Sequence, residues 1–218
     1  MLAFKRKWCR PLAIIIICGL ISMIYLASAY SQELPEAADA PSPSSTNILS
    51  PPNAIPAKLI PPQEWLSILG RRDVGRLEEL LAAGADPNSV VSESGRTLLM
   101  AAQSGPMVRL LLEHGAVPGI RDNKGATALH HAVACHEAME IIPLLLERGA
   151  DIDATDDTGF TALISAVVND KPDLVRLLLE RGADPGIRTH EDQSALDWAQ
   201  DLGIVDIVDL LEAAYAHR

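Results

Sequence analysis

The chain has 218 residues, of which 18 are basic and 29 acidic, for a formal net charge of −11, and it contains three cysteines. An acidic surface repels phosphate backbones and anionic lipid, so no nucleic-acid role is expected, and charge, where it acts beyond solubility, favours a basic protein partner. With Cys9 and Cys18 close to the N-terminus, the cysteines exclude a disulfide framework for the remainder of the chain.

The first ten residues, MLAFKRKWCR, carry Lys5, Arg6, Lys7 and Arg10 and no acid; the next twenty, PLAIIIICGLISMIYLASAY, carry no charge. A basic start, an apolar run from Leu12 to Leu26 and an A-x-A arrangement at Ala27 and Ala29 fit a cleaved secretory signal peptide over residues 1–29. The uncharged run is also long enough to cross a bilayer as an uncleaved anchor, through which alone a membrane contact is expected. Both readings keep the positive charge on the cytoplasmic side and export everything after residue 30. Lipid attachment at Cys18 is opposed by Ile15, Ile16 and Ile17, the wrong residues for a bacterial lipobox. Removal of residues 1–29 leaves 14 basic residues against 29 acidic ones, a net charge of −15, and Cys135 as the remaining cysteine. Packing rather than disulfides must then hold the fold, which a chain of this length can supply.

Residues 30–62 form a Pro/Ser/Ala-rich linker. Pro35, Pro41, Pro43, Pro51, Pro52, Pro56, Pro61 and Pro62 interrupt any helical or alternating apolar pattern, because proline lacks the backbone donor and sets its own φ. The stretch reads as a tether; its alternative is a proline-rich ligand for a groove-bearing domain.

From Gln63 onward one pattern recurs. LLLERGAD occurs at Leu144–Asp151 and again at Leu177–Asp184, with looser copies LLLEHGAV from Leu110 and ELLAAGAD from Glu79, so successive starts lie 31, 34 and 33 positions apart. A second set keeps step with it: GRTLLMAA from Gly95, GATALHHA from Gly125, GFTALISA from Gly159 and DQSALDWA from Asp192. Each unit reads as turn, short helix, loop, LLLE helix, glycine. Val175, Leu178 and Leu179 recur at helical spacing and make a stripe that one helix pair cannot cover, so neighbouring pairs must cover it. The glycine after LLLE enters the left-handed region and ends the helix. Thr97, Thr127, Thr161 and Ser194 supply N-cap oxygens to the first helix of each unit. Asp122 and Asp156 recur at one turn position, which argues for turn capping rather than catalysis.

This organisation resembles the ankyrin repeat, whose hallmark T-P-L-H-x-A is matched by TALHHA at Thr127–Ala132 and, weakened, by TLLMAA, TALISA and SALDWA. The resemblance implies an all-α solenoid of about five helix-turn-helix units with short hairpin-like turns. The units are a degenerate N-terminal cap at 63–94, repeats at 95–124, 125–158 and 159–191, and a C-terminal cap at 192–218. The second unit is short by about three residues around GPMV, the third carries one extra residue near Cys135, and the first turn one extra near Val90. In the last unit Asp201, Asp206, Asp209 and Glu212 are expected to keep charge on the uncovered outer helix. Trp65 and Trp198 sit in helical patterns and are expected in the core.

The densest reactive cluster is LHHAVACHEAME, with His130, His131, Cys135, His136 and Glu140. His131 and Cys135 are four apart, so on one helix they would share a face suited to zinc, or to a thiol activated by imidazole. Against both stand His130 at the family's histidine position, where it is expected to bond backbone within the stack, and the absence of a visible third group. No phosphate loop, H-E-x-x-H or G-x-S-x-G occurs, so no enzyme activity and no cofactor are expected. The resemblance implies a protein-binding surface made of hairpin tips and inner helices. Its variable positions here are Arg121, Asn123 and Ala126, then Thr155, Asp157 and Phe160, then Arg188, His190 and Gln193, joined by His131 and Cys135 at the inner-helix end. Phe160 reads either as an interface anchor or as a ring folded over its own turn. Likeness to small exported ankyrin proteins of Gram-negative bacteria implies a periplasmic adaptor. Its partner would be a stress-defence enzyme such as a catalase or, alternatively, a toxic effector that the protein neutralises.

Overall fold

A computed structural model describes residues 60–216. The readings placed on residues 1–59, the signal segment and most of the linker, lie outside the described residues.

The described chain is all α, built as successive antiparallel helix pairs. They are α1 (Pro62–Arg71) with α2 (Val74–Ala82), α3 (Leu98–Ala101) with α4 (Gly105–Glu113), α5 (Ala128–Val133) with α6 (Ala138–Glu147), α7 (Ala162–Val168) with α8 (Pro172–Glu180), and α9 (Ala195–Leu202) with α10 (Val205–Ala216). Among the described residues β-structure is confined to two isolated bridges, Val90 with Thr97 and Arg188 with Ser194, at the first and last hairpins. None of the described helices is long and apolar enough to cross a membrane.

Helix α8 shows why the sequence makes these elements. Pro172 opens it with φ already set and no donor to lose, and Asp173 in the first turn meets the positive end of the helix dipole. Leu174, Val175 and Leu178 turn inward and are buried, whereas Leu179 is only half-buried, so the stripe runs one residue further toward the N-terminal side than its spacing suggests. Gly182 ends the helix at φ 90°. Its amide and that of Ala183 donate to Leu179 and Leu178 carbonyls at 3.0 Å each, which satisfies acceptors the helix leaves open. Gly84, Gly115 and Gly149 do the same after α2, α4 and α6.

The first helix of each later unit begins at a buried hydroxyl. Thr97, Thr161 and Ser194 accept the amides of Met100, Ile164 and Asp197. Thr127 departs from this: its hydroxyl lies 2.9 Å from the His130 ring, which takes the place of the amide as its partner. The missing residues of the second unit come out of its inner helix, since α3 has four residues where α5, α7 and α9 have six, seven and eight. In the C-terminal pair the outward face carries Val205, 67% exposed. Asp206, Asp209 and Glu212 are also exposed on α10; Asp206 and Asp209 line an open groove of about 430 Å³ against Asp173 and Arg176 of α8, and Asp201, exposed on α9, accepts a bond from Gln193. Trp65 and Trp198 are both buried.

Two of the junctions between consecutive units are also fastened at the turn after the glycine. Asn88 Oδ1 accepts the amide of Val117, and Asp153 Oδ1 that of Asp184, each at 2.8 Å. Gly119 occupies the matching position one unit on, where a Cβ would meet nothing within 4 Å. Gly119→Asn is expected to add the missing fastening to the Asp151 amide and to restrict the unfolded chain. It should raise stability by about 1 kcal/mol, read as a higher urea midpoint at unchanged slope.

Candidate functional site

The hairpin tips are built by one side chain each. Asp122 Oδ1 accepts the amides of Lys124 and Ala126 at 2.9 and 3.0 Å, and Asp156 Oδ1 those of Thr158 and Phe160 at 2.8 and 3.0 Å. Ser92 and Thr189 repeat the arrangement with a hydroxyl, accepting from Arg96 and Gln193. Each turn closes, and its tip then meets the next. Asn123 donates its amide to the Ser94 carbonyl at 2.9 Å, Asp157 to Lys124 at 3.0 Å, and His190 to Thr158 at 3.1 Å. The approach is close enough that a Cβ on Gly159 would come within 2.8 Å of the His190 amide nitrogen, and its φ of 83° independently requires glycine.

This ladder brings Asn123, Asp157 and His190 into one row with exposed side chains. Arg121, also exposed, reaches Asp157 of the next tip at 3.6 Å, and the Asn123 side chain donates to the Glu93 carbonyl at 2.9 Å. Arg188 turns toward the last unit, bonding the Asp192 carbonyl and lying 3.3 Å from the Asp197 carboxylate. Gln193 donates to Asp201 at 3.0 Å. Thr155 and Ala126 are half-buried at the base of their turns.

Phe160 lies against the next unit, its ring 5.5 Å from that of Trp198 and tilted by 56°, in an arrangement favoured by the aromatic quadrupoles. Its carbonyl faces His130 Nε2 at 3.0 Å, while the Thr127 amide donates to His130 Nδ1 at 3.1 Å. These bonds select the tautomer with its hydrogen on Nε2, so His130 donates to Phe160 and ties its own unit to the next.

His131 Nε2 is 2.9 Å from Asp122 Oδ2, so the carboxylate that closes the tip also holds the inner helix. Burial lowers the His131 pKa, nearby Arg96 adds to the effect, and Asp122 only partly opposes it. Burial raises that of Asp122, but the bonds from His131, Lys124 and Ala126 outweigh it and hold the carboxyl below its usual range. Helix α5 ends at Val133, so Cys135 lies beyond it rather than on a face shared with His131. Its Sγ donates to the His131 carbonyl at 3.6 Å, and burial pushes the thiol up, the opposite of what an activated nucleophile needs. Among the described residues no three His, Cys, Asp or Glu side chains are placed to hold a metal ion.

Sequence spacing did not reveal three contacts: His131 with Asp122, Phe160 with Trp198, and Arg72 with Glu137 at 2.6 Å across 65 positions. A nine-residue separation at a recurring turn acid is a signal that could have found the first. The others depend on how units stack.

Stacked helix pairs that present a hydrogen-bonded row of exposed, dissimilar side chains define a repeat scaffold for binding other proteins. A family model described as ankyrin repeats (3 copies) matches residues 70–156 and 134–217, and the chain belongs to the ankyrin-repeat family. It is similar to a Treponema pallidum (strain Nichols) protein described as ankyrin repeat-containing, with 43% identity over 67 residues. That match spans 29% of this chain and 22% of the relative, so the chain covers less than a quarter of that protein's length.

The depressed His131 pKa has a stability consequence. In the unfolded chain the imidazole takes up its proton near pH 6.5, and the folded chain resists it until lower pH. Stability should therefore fall as pH drops through 6.5 toward the folded value and level off below it. Asp122 adds a separate loss below pH 3.8. His131→Gln should flatten the first slope in urea unfolding measured between pH 7.5 and 5, and an unchanged slope would mean that His131 is not the group responsible.

Proposed function

We propose that this protein is an exported ankyrin-repeat adaptor that holds a periplasmic protein partner along its hairpin tips. The observation that carries this reading is the tip ladder. It aligns the backbones of Asn123, Asp157 and His190, each donating its amide to the preceding tip, so that exposed side chains of successive units stand in one row on a common support. Preorganised, exposed and dissimilar groups on a rigid support suit recognition, because little conformational freedom remains to be lost on binding. Export is supported by the basic start, the apolar run and the A-x-A arrangement at the N-terminus.

A basic partner is favoured by the charge of −15 left once residues 1–29 are removed, and by Asp173, Asp206 and Asp209, which line one groove against a single Arg176. A stress-defence enzyme such as a catalase is the partner class that the family resemblance suggests. A toxic effector entering the periplasm is its rival, and the identity of the captured protein separates the two.

The test is capture from periplasmic extract with the chain as bait, followed by identification of what is retained. The triple variant Asn123→Ala, Asp157→Ala and His190→Ala keeps the three backbone ladder bonds and gives up two exposed side-chain contacts, Asn123 with Glu93 and Asp157 with Arg121. It should weaken capture about tenfold or more while the melting temperature moves by only a few degrees. Undiminished capture by this variant would remove the tips from the binding surface.

A further inference from the structure

The second helix pair is the short one, and the structure shows what closes the space it leaves. From the four-residue α3 the chain turns into α4 through Ala102, Gln103 and Ser104, whose hydroxyl is buried and finds no partner among the described residues. At this corner the neighbouring units supply the missing groups. Glu137, immediately before α6, accepts the amide of Gly105, the first residue of α4, through Oε2 at 3.0 Å. Through Oε1 it meets the guanidinium of Arg72, from the loop between α1 and α2, at 2.6 Å. A Cβ on Gly105 would meet the Glu140 carboxylate, the movable end of an exposed side chain, which places α6 close against this corner.

Two features set the Arg72–Glu137 pair apart from an ordinary surface contact. It joins the first helix pair to the third, over the top of the second, whereas the units of a linear array are otherwise held by their immediate neighbours. Arg72 also holds this position in the left-handed region, at φ 54° and ψ 39°, a conformation unfavourable for any residue with a Cβ other than Asn or Asp. Glycine would serve the backbone better there, which gives the guanidinium a use that outweighs the strain.

We infer that Arg72 and Glu137 form an electrostatic strap over the clipped second unit, and that this strap controls how readily the first helix pair opens away from the rest of the array. Among the described residues the first helix pair stacks on one neighbour instead of two, and that neighbour is also the shortest, so this pair is the one expected to open most readily. The strap replaces part of the lost contact by charge. Opening of α1 and α2 is therefore sensitive to ionic strength in a way that opening of the later units, packed by full-length helices, is not.

Amide hydrogen exchange on the full chain, resolved by peptide, tests this with Glu137→Gln, Arg72→Gly and both together. Glutamine still accepts the Gly105 amide through its one oxygen, so Glu137→Gln removes the charge and the acceptor that faces Arg72 while keeping the bond to α4. Each single variant should speed exchange in α1 and α2 about two- to fivefold, the range of an exposed ion pair, with α7 to α10 unchanged. The double variant should go no further than the larger single effect. Raising sodium chloride from 20 to about 500 mM should reproduce the change in the wild type and add little in the variants. Arg72→Gly is the sharpest arm, because it relieves backbone strain: slower exchange in α1 and α2 overturns the strap. So does an unchanged rate in Glu137→Gln, or an equal rise throughout α7 to α10.

Discussion

Each outer helix turns apolar side chains toward the pair before it and the pair after it, and burial on both sides is the interaction on which the array rests. Leu80, Leu111, Leu145 and Leu178 occupy the same place in four units, and none is more than 6% exposed. Full burial of one such side chain is worth about 1.5–3 kcal/mol, and a solitary pair would leave much of that area in water. Stacking is thus a condition of each unit's own stability, and the spacing between units follows from helix diameter and side-chain size. Once that spacing is set, the tips come within hydrogen-bond distance of one another. The bonds from Asn123, Asp157 and His190 to the preceding tips are consequences of packing some distance away.

What was legible in the sequence is what a unit does within itself. The glycines after LLLE, the hydroxyls before the inner helices and the recurrent turn acids all act within four or five residues of their own position, so spacing alone identifies them. Thr127 shows the limit of such reading. The same residue that caps the backbone in two other units here meets an imidazole, because His130 stands at the position held elsewhere by Met100, Ile164 and Asp197. Cys135 shows another: the extra residue in its unit lengthens the loop, and the helix that would have aligned it with His131 stops two residues earlier. Contacts between units were not legible, since nothing in the spacing of Arg72 and Glu137 or of Phe160 and Trp198 distinguishes them from pairs that never meet.

Those contacts between units divide the array into junctions of different chemistry laid over a common apolar seam. The first three units share a carboxylate between a guanidinium and a helix amide. The third is tied to the fourth by His130, donating to the Phe160 carbonyl, and the fourth to the fifth by Phe160 on Trp198. At the lower turns Asn88 and Asp153 fasten two alternate junctions. Apolar stacking tolerates small errors of register, whereas bonds of 2.6–3.0 Å do not, so these fastenings hold the units at the offset at which the tips align.

The fastenings also limit which variable positions remain for a partner. Phe160 has its carbonyl engaged by one unit and its ring by another, so a partner that drew the ring outward would have to replace a contact worth about 0.5–1.5 kcal/mol beyond its area. His131 is bound to the carboxylate that closes its own tip, and Gln193 and Arg188 are turned toward acids of the last unit. A side chain committed to the stack cannot change with the partner unless the stack changes with it. His190 differs in this respect, because its bond to the preceding tip is made by the backbone, whereas Asn123 and Asp157 each add one exposed side-chain contact, with Glu93 and Arg121. Variation at an exposed tip position leaves the backbone ladder in place, whereas variation on the inner helices beneath would disturb bonds that hold the stack.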